Sequence, residues 1–127
     1  MKTRNKLKSL RKKAWKEESE AIRKEEGRCY TCGVVKNWKE LQLGHFRHGN
    51  NMDFERKNVH AQCRRCNLFL SGNLGVYAEK LEAQYGHGII QELNKKADQI
   101  KIFKQKDYEA IIKLYEGLGS KIKNKEM

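Results

Sequence analysis

His60-Ala-Gln-Cys-Arg-Arg-Cys-Asn67 holds two of the four cysteines in a chain of 127 residues, spaced by two arginines and followed at once by an asparagine. The other two stand in Cys29-Tyr-Thr-Cys32, and 30 residues separate Cys32 from Cys63. A two-residue spacer lets both thiolates of a knuckle turn toward one ion. Two such pairs supply the tetrahedron of sulfur ligands that structural Zn(II) prefers. Gly33 suits the tight turn after the first pair, and Arg28, Arg64 and Arg65 favour thiolates electrostatically. The competing chemistry is a redox dithiol, for which the second pair is superfluous. One zinc per chain is expected on Cys29, Cys32, Cys63 and Cys66. With every position filled by protein, that ion has no open site for catalysis.

The surrounding composition narrows the partner. The chain carries 28 Lys and Arg against 16 Asp and Glu, a net charge of +12. That excess attracts a polyanion, nucleic acid before an anionic membrane. No run approaches the roughly 18 apolar residues of a membrane span, and MKTRNKLKSLRKK has no apolar signal region behind its charges. An intracellular, cytoplasmic protein with reduced, metal-holding cysteines is expected.

Hydrophobic spacing places the elements. Residues 4–26 lack Gly and Pro, and Leu7, Leu10, Ala14, Ala21 and Ile22 recur at helical spacing, which predicts a basic helix or, failing that, a frayed arm. Candidate strands of a small hairpin run from Leu41 to Phe46 and from Lys57 to Gln62. One helix should start near Arg64 and another near Asn73, where Leu74, Tyr77, Leu81 and Tyr85 read as core and Gly86 as the cap. Two more are expected over Ile89 to Lys101 and Asp107 to Leu118, with a loose tail after Gly119. The organisation is a basic N-terminal helix or arm over residues 1–27, a zinc-stabilised core over 28–86 and a helical extension over 87–127, in one small α+β domain.

Chemistry enters through LGHFRHGNN, residues 43–51, between the knuckles. Metal-dependent phosphodiester hydrolysis needs a base to deprotonate water and a hard cation to stabilise charge on the phosphorane. A histidine on a strand facing an asparagine at a helix start can supply both. The order His45, Asn58, Asn67 matches the His-Asn-Asn/His pattern of the ββα-metal (HNH) nucleases.

The segment from Cys29 to Gly86 resembles the phage NinG (Rap) recombination-protein family. The matching residues are Cys29-x2-Cys32-Gly33, Gly44-His45-Phe46, Phe54, Asn58-Val59-His60, Gln62-Cys63-x2-Cys66-Asn67, Ser71-Gly72-Asn73, Tyr77, Leu81 and Tyr85-Gly86. The resemblance implies a treble-clef-like ββα-metal core that cuts branched recombination intermediates, Holliday junctions and D-loops, inside a phage-infected bacterial cell. The motif order is also similar to that of phage endonuclease VII. That likeness implies a homodimer in which His45 is the general base and Asn67 ligates a catalytic Mg(II) or Mn(II).

One position departs from the broader pattern. Many HNH members place Asp or His just before the general-base histidine, and this chain has Gly44. The cation is then held by Asn67 with help from His60, Asp53, Glu55, Asn73 or a DNA phosphate, or else His45 is the ligand and another residue the base. His60 alternates with Asn58 on the second strand and should share its face, either in the site, as ligand or orienting residue, or in a structural hydrogen bond. Asn58 in this pattern braces the loop. His48 is expected to contact phosphate with Arg47, Arg56, Lys57, Arg64 and Arg65, and Lys12 and Lys13 to extend that surface along the N-terminal segment. Trp15 and Trp38 read as core or interface anchors, with base stacking as the alternative. The readings that rival a junction endonuclease are a non-catalytic zinc-stabilised DNA-binding module and a less structure-selective HNH nicking enzyme.

Overall fold

Helix α1 spans Lys2–Glu26, strand β1 Leu41–His45, strand β2 Val59–Cys63, and helices α2, α3 and α4 span Leu74–Tyr85, Ile89–Ala97 and Gln105–Glu126. The computed structural model describes residues 2–49 and 51–126, with side chains over 4–49 and 51–118. The architecture is a small α+β domain around a two-stranded antiparallel sheet.

The strands pair Leu41 with Cys63, Gly44 with His60 and His45 with Val59. Alternation then gives the sheet two unlike faces. Leu43, Val59 and His45 share one face, and Gln42, Gly44, His60 and Gln62 share the other. Helices α1 and α4 cover the first through Ala21, Ile22 and Tyr115. They lie side by side in the same direction, since Arg11 meets Tyr108 and Glu18 meets Tyr115. The N-terminal segment is therefore a packed helix and not a solvated arm. A helix with so few apolar residues is marginal alone, and Ala14 against Tyr108 and Ile112 supplies the tertiary contact it needs.

On the other face, Tyr77 of α2 donates to Gly44 O at 2.9 Å and to Asn58 O at 3.3 Å. Met52, Tyr77, Leu81, Ile89 and Leu93 form the core beneath it. Leu74, read as core, is 46% exposed instead. The helix expected from Arg64 is a single π turn, Arg65–Phe69. It stops there because Ser71, Gly72 and Asn73 take consecutive positive φ of 50°, 92° and 49°. The second strand begins later than expected, since Arg56–Asn58 form a 3-10 turn.

Helix α3 ends at Ala97, four residues short of Lys101. Asn51 caps that end, its Nδ2 donating to Lys96 O in the last turn at 2.6 Å and to Gln99 O just beyond the helix at 2.5 Å. Helix α4 starts at Gln105 because the Asp107 carboxylate reaches back to Lys104 N at 2.8 Å. It continues past Gly119 to Glu126, where a loose tail was expected. Each glycine costs a helix about 1 kcal/mol relative to Ala, and the lysine-rich run that follows is a good helix former.

Candidate functional site

The two knuckles converge. The Sγ atoms of Cys29, Cys32, Cys63 and Cys66 all lie within 4.8 Å of one another, and Cys32 Sγ is 3.7 Å from Cys63 Sγ. A tetrahedron with Zn–S bonds of about 2.3 Å has S–S edges of about 3.8 Å, so the cluster fits one zinc ion. Main-chain geometry prepares it. Cys32 N and Cys66 N each point at the first sulfur of their own knuckle at 3.5 Å, and Asn73 Nδ2 points at Cys66 Sγ at 3.7 Å. Gly33, at φ 80°, closes the first knuckle with its N–H on Cys29 O at 2.9 Å.

The thiols also show why a cation belongs there. Burial pushes Cys29 up, but hydrogen bonds from Cys32 N–H and the Thr31 hydroxyl outweigh it and hold the thiol at about 6. Loss of solvent pushes Cys32 up to about 12, with the three neighbouring sulfurs adding to the shift, and raises Cys63 as well, where Cys66 and Cys29 add and Cys32 opposes. One thiolate forms readily and the next are costly, until a divalent cation cancels their charge.

At the far end of β1, Asn58 is fully buried and holds the loop that follows. Its Oδ1 accepts from Arg47 N at 2.8 Å, and its Nδ2 donates to Arg47 O at 2.9 Å and Met52 O at 3.1 Å. The braced loop sets Asp53 beside His45, with Oδ1 3.0 Å from Nε2. The contact is electrostatic and poorly directed, for this buried nitrogen has no hydrogen-bond partner among the described residues. Burial would raise Asp53, but the His45 imidazole and the Arg11 guanidinium outweigh it and keep the carboxylate below its usual range. Arg11 pairs with Asp53 from α1. Trp15 stacks on His45 with ring centroids 5.1 Å apart, and the exposed His48 ring lies 5.4 Å from His45 on the loop.

Helix α1 thus brings its own polar stripe to His45. A groove of about 550 Å³ is lined by Ser9, Lys12, Lys13, Trp15, Lys16, Ser19 and Arg23. A second of about 250 Å³, lined by Lys8, Arg11, Lys12, Trp15, Asp53 and Phe54, shares Lys12 and Trp15 with it. Arg11, Trp15, Glu18 and Ile22 recur at spacings of four, three and four. Polar residues set within an apolar stripe were the available signal for this cluster. Glu18 is buried, accepts from Tyr115 OH at 3.3 Å and has a second oxygen without a partner among the described residues. Burial pushes its carboxyl up to about 8.

Asn67 and His60 are placed elsewhere. Asn67 Nδ2 donates to Gln42 Oε1 at 2.8 Å on the opposite face from His45. A Cβ at Gly44 would overlap Gln62 Oε1 and lie 3.1 Å from Asn67 Oδ1. The Gln62 amide therefore fills the space that a metal-binding carboxylate at position 44 would need. It is held there by hydrogen bonds from its Nε2 to Gly72 O and Thr31 Oγ1. Asn67 and Gln62 offer neutral amide oxygens, whereas hard dications favour carboxylates. These residues alone do not form a Mg(II) or Mn(II) site.

His60, expected to join the site beside Asn58, is fully buried. Its Nδ1 is 2.7 Å from Glu26 Oε2, its Nε2 is 3.4 Å from Tyr85 OH, and its ring stacks on Tyr30 at 3.8 Å. It ties the end of α1 to β2 and is not brought to His45. Arg56 also serves the fold, donating to Val59 O at 2.9 Å and facing Glu26 at 3.6 Å. Lys57 pairs with Glu92 at 3.5 Å and Lys13 with Glu116 at 3.7 Å, both on the surface. Arg47, Arg64, Arg65 and Lys12 are exposed. Trp38 lies beneath Lys24 and Arg23, 4.5 and 5.2 Å from its ring centroid.

A strand hairpin fixed at one end by four thiols and flanked by helices defines a small cysteine-cluster α+β domain. Comparison with known proteins gives the family. The family model "Bacteriophage Lambda NinG protein" matches residues 1–126, and the chain belongs to the NinG family. It is 31% identical over 68 residues to "Protein ninG" of Escherichia phage lambda, covering 51% of this chain and 33% of that protein. The same identity and coverage hold for "Protein ninG" of Escherichia phage 933W and of Enterobacteria phage VT2-Sa. The matched segment thus spans about a third of these curated relatives. No solved structure matches the chain. Among the described residues no helix is long and apolar enough to cross a membrane.

Proposed function

We propose that this chain is a DNA endonuclease that cuts branched recombination intermediates, built on a zinc-stabilised, treble-clef-like ββα core with the His45–Asp53 pair as its reactive centre. The observation that carries this reading is the loop braced by buried Asn58, which sets a carboxylate 3.0 Å from a histidine at the end of β1. With Nε2 beside Asp53, Nδ1 is the nitrogen left to take a proton from a water whose oxygen adds to phosphorus as the bond to the leaving strand's oxygen breaks, that oxygen being protonated from solvent. Asp53 then stabilises the imidazolium that forms. The α1 groove, with Lys12 and Lys16, receives phosphates without reading sequence. Arg47 and His48 do the same from the loop. The imidazole is only 11% exposed, so DNA reaches it only by shifting its cover, of which the stacked Trp15 indole is part.

Asn67 lies on the opposite face of the sheet from His45, so a dependence on Mg(II) or Mn(II) at this centre requires phosphate oxygens of the bound DNA to hold the cation. The second reading, a zinc-stabilised DNA-binding module without catalysis, draws its support from the same covered imidazole and from the Gln62 amide over Gly44. The separating experiment incubates the full chain with a four-way junction, a D-loop and a linear duplex, with and without Mg(II) or Mn(II). Cation-dependent cuts confined to the branched substrates support the junction endonuclease. Binding with no cut under any cation supports the binding module, and equal cutting of all three substrates supports a nicking enzyme.

A further inference from the structure

We propose that Phe69 is an apolar wedge that stacks on an unpaired base where a nucleic acid branches or gaps, a role that rests on the nucleic-acid reading above but not on cleavage. Phe69 is 73% exposed, and Leu68, Leu70 and Leu74 around it are 54%, 41% and 46% exposed. Large apolar side chains gathered in one turn and left in water mark a surface that takes a partner.

The turn that carries them is rigid. It is a π turn, a form frequent at functional sites, closed by Leu70 N on Arg65 O at 2.8 Å. Gly72 N then returns to Cys66 O at 2.9 Å, and Gln62 Nε2 holds Gly72 O at 2.8 Å. The three positive-φ residues 71–73 follow, with Asn73 Nδ2 on the metal-cluster sulfur Cys66 Sγ. The backbone that displays Phe69 is thus pinned to the cysteine cluster, and little ordering cost remains on binding.

Charge selects the occupant. Arg64 and Arg65 are exposed, make no ion pair with an acidic group among the described residues, and flank the apolar turn. The Arg64 guanidinium lies 5.9 Å from the Phe69 ring centroid. A second copy of this chain, itself at +12, would bring four such guanidiniums together on contact. A base offers a π face to Phe69, and the phosphates on either side of it meet the two arginines. Paired duplex keeps its bases stacked inside, so the wedge acts only where a base is already free.

The test uses the full chain without added Mg(II) or Mn(II), so that binding is read apart from cutting. Probes are a linear duplex and a duplex with a bulged 2-aminopurine. The parent should bind the bulged probe more tightly than the linear one and change its fluorescence. Phe69→Ala should lose roughly 5- to 100-fold of the affinity for the bulge and abolish the fluorescence change. Linear duplex affinity should stay within about twofold, as stacking adds nothing where no base is free. Phe69→Trp should restore both signals. Bulge binding by Phe69→Ala equal to the parent overturns the proposal. So does a shift from dimer to monomer in sedimentation without DNA, or Phe69-dependent binding to phosphatidylserine vesicles with no fluorescence change on the bulge. A parent that cuts no junction but shows the Phe69 pattern leaves the wedge standing and removes the endonuclease reading. A parent that binds neither probe removes both.

Discussion

At its Leu41 and Cys63 end the hairpin closes on four sulfurs from two short knuckles, whereas at its His45 and Val59 end it is covered by helices from opposite ends of the chain. The first end is local. Each pair of ligands is fixed by a turn of its own backbone, and only one long-range event, the meeting of the knuckles, is needed. The second end is assembled at long range: Arg11 and Glu18 meet Tyr108 and Tyr115 across 97 positions. A metal cluster of this kind binds or fails as a unit, while the helical cover gains or loses stability contact by contact.

The largest expected break is at the sulfur end. Replacing Cys63 or Cys66 by Ser should abolish both zinc content and the folded state, since structural zinc contributes roughly 10 kcal/mol or more to such domains. Elemental analysis with circular dichroism reads both. A folded, metal-free protein would contradict the cluster assignment.

The helical end should yield more gradually. Ile22, fully buried against Leu43, Val59 and Tyr115, should cost about 2–5 kcal/mol when cut to Ala, while one zinc per chain is retained. Denaturant unfolding of the metal-bound protein checks the first and elemental analysis the second. Loss of zinc on this substitution would mean that the two ends are not separable.

Glu18 sharpens the contrast through pH. Its folded carboxyl is raised from 4.5 to about 8 by burial, so over that interval the folded state holds more protons than the unfolded chain. Stability from this group is therefore present below the unfolded value and lost as pH climbs through the folded one. Glu18→Gln should be more stable than the parent by a few kcal/mol near pH 8, with the difference shrinking steadily toward pH 5. A difference independent of pH would show that Glu18 is ionised in the fold. The smallest effect should come from Lys57→Gln, which removes an exposed pair with Glu92 and should change stability by less than about 1 kcal/mol.

What could be read from the chain follows the same division. The C-x2-C spacing states its ligand geometry within four residues, and the sheet alternation fixes which side chains share a face. Asn58 as a brace was legible from the His-Asn-Asn pattern, although it stands in the 3-10 turn ahead of the strand. The shared face also suggested a site role for His60, but spacing cannot show that Glu26, Tyr30 and Tyr85 would enclose it. Gly44 was visible as a missing ligand. The cause of the gap, the Gln62 amide in its place, appears only when the two strands are laid side by side. Asp53 was one of several possible ligands until the loop placed it at His45, and Trp15, read as an anchor, proves to stack on the candidate base. Helix ends went astray where a distant side chain acts as the cap, as Asn51 does for α3.

If the chain is the proposed endonuclease, His45 and not another histidine performs the proton transfer. Single-turnover cleavage of a four-way junction, with saturating Mg(II) or Mn(II) and variants shown to be folded and zinc-bound, tests it most directly. His45→Ala should slow cleavage by about 10²- to 10⁴-fold with junction affinity near that of the parent, whereas His48→Ala should slow it far less. A His45→Ala variant that cuts at the parental rate would remove His45 as the base and leave the cysteine-cluster scaffold without one.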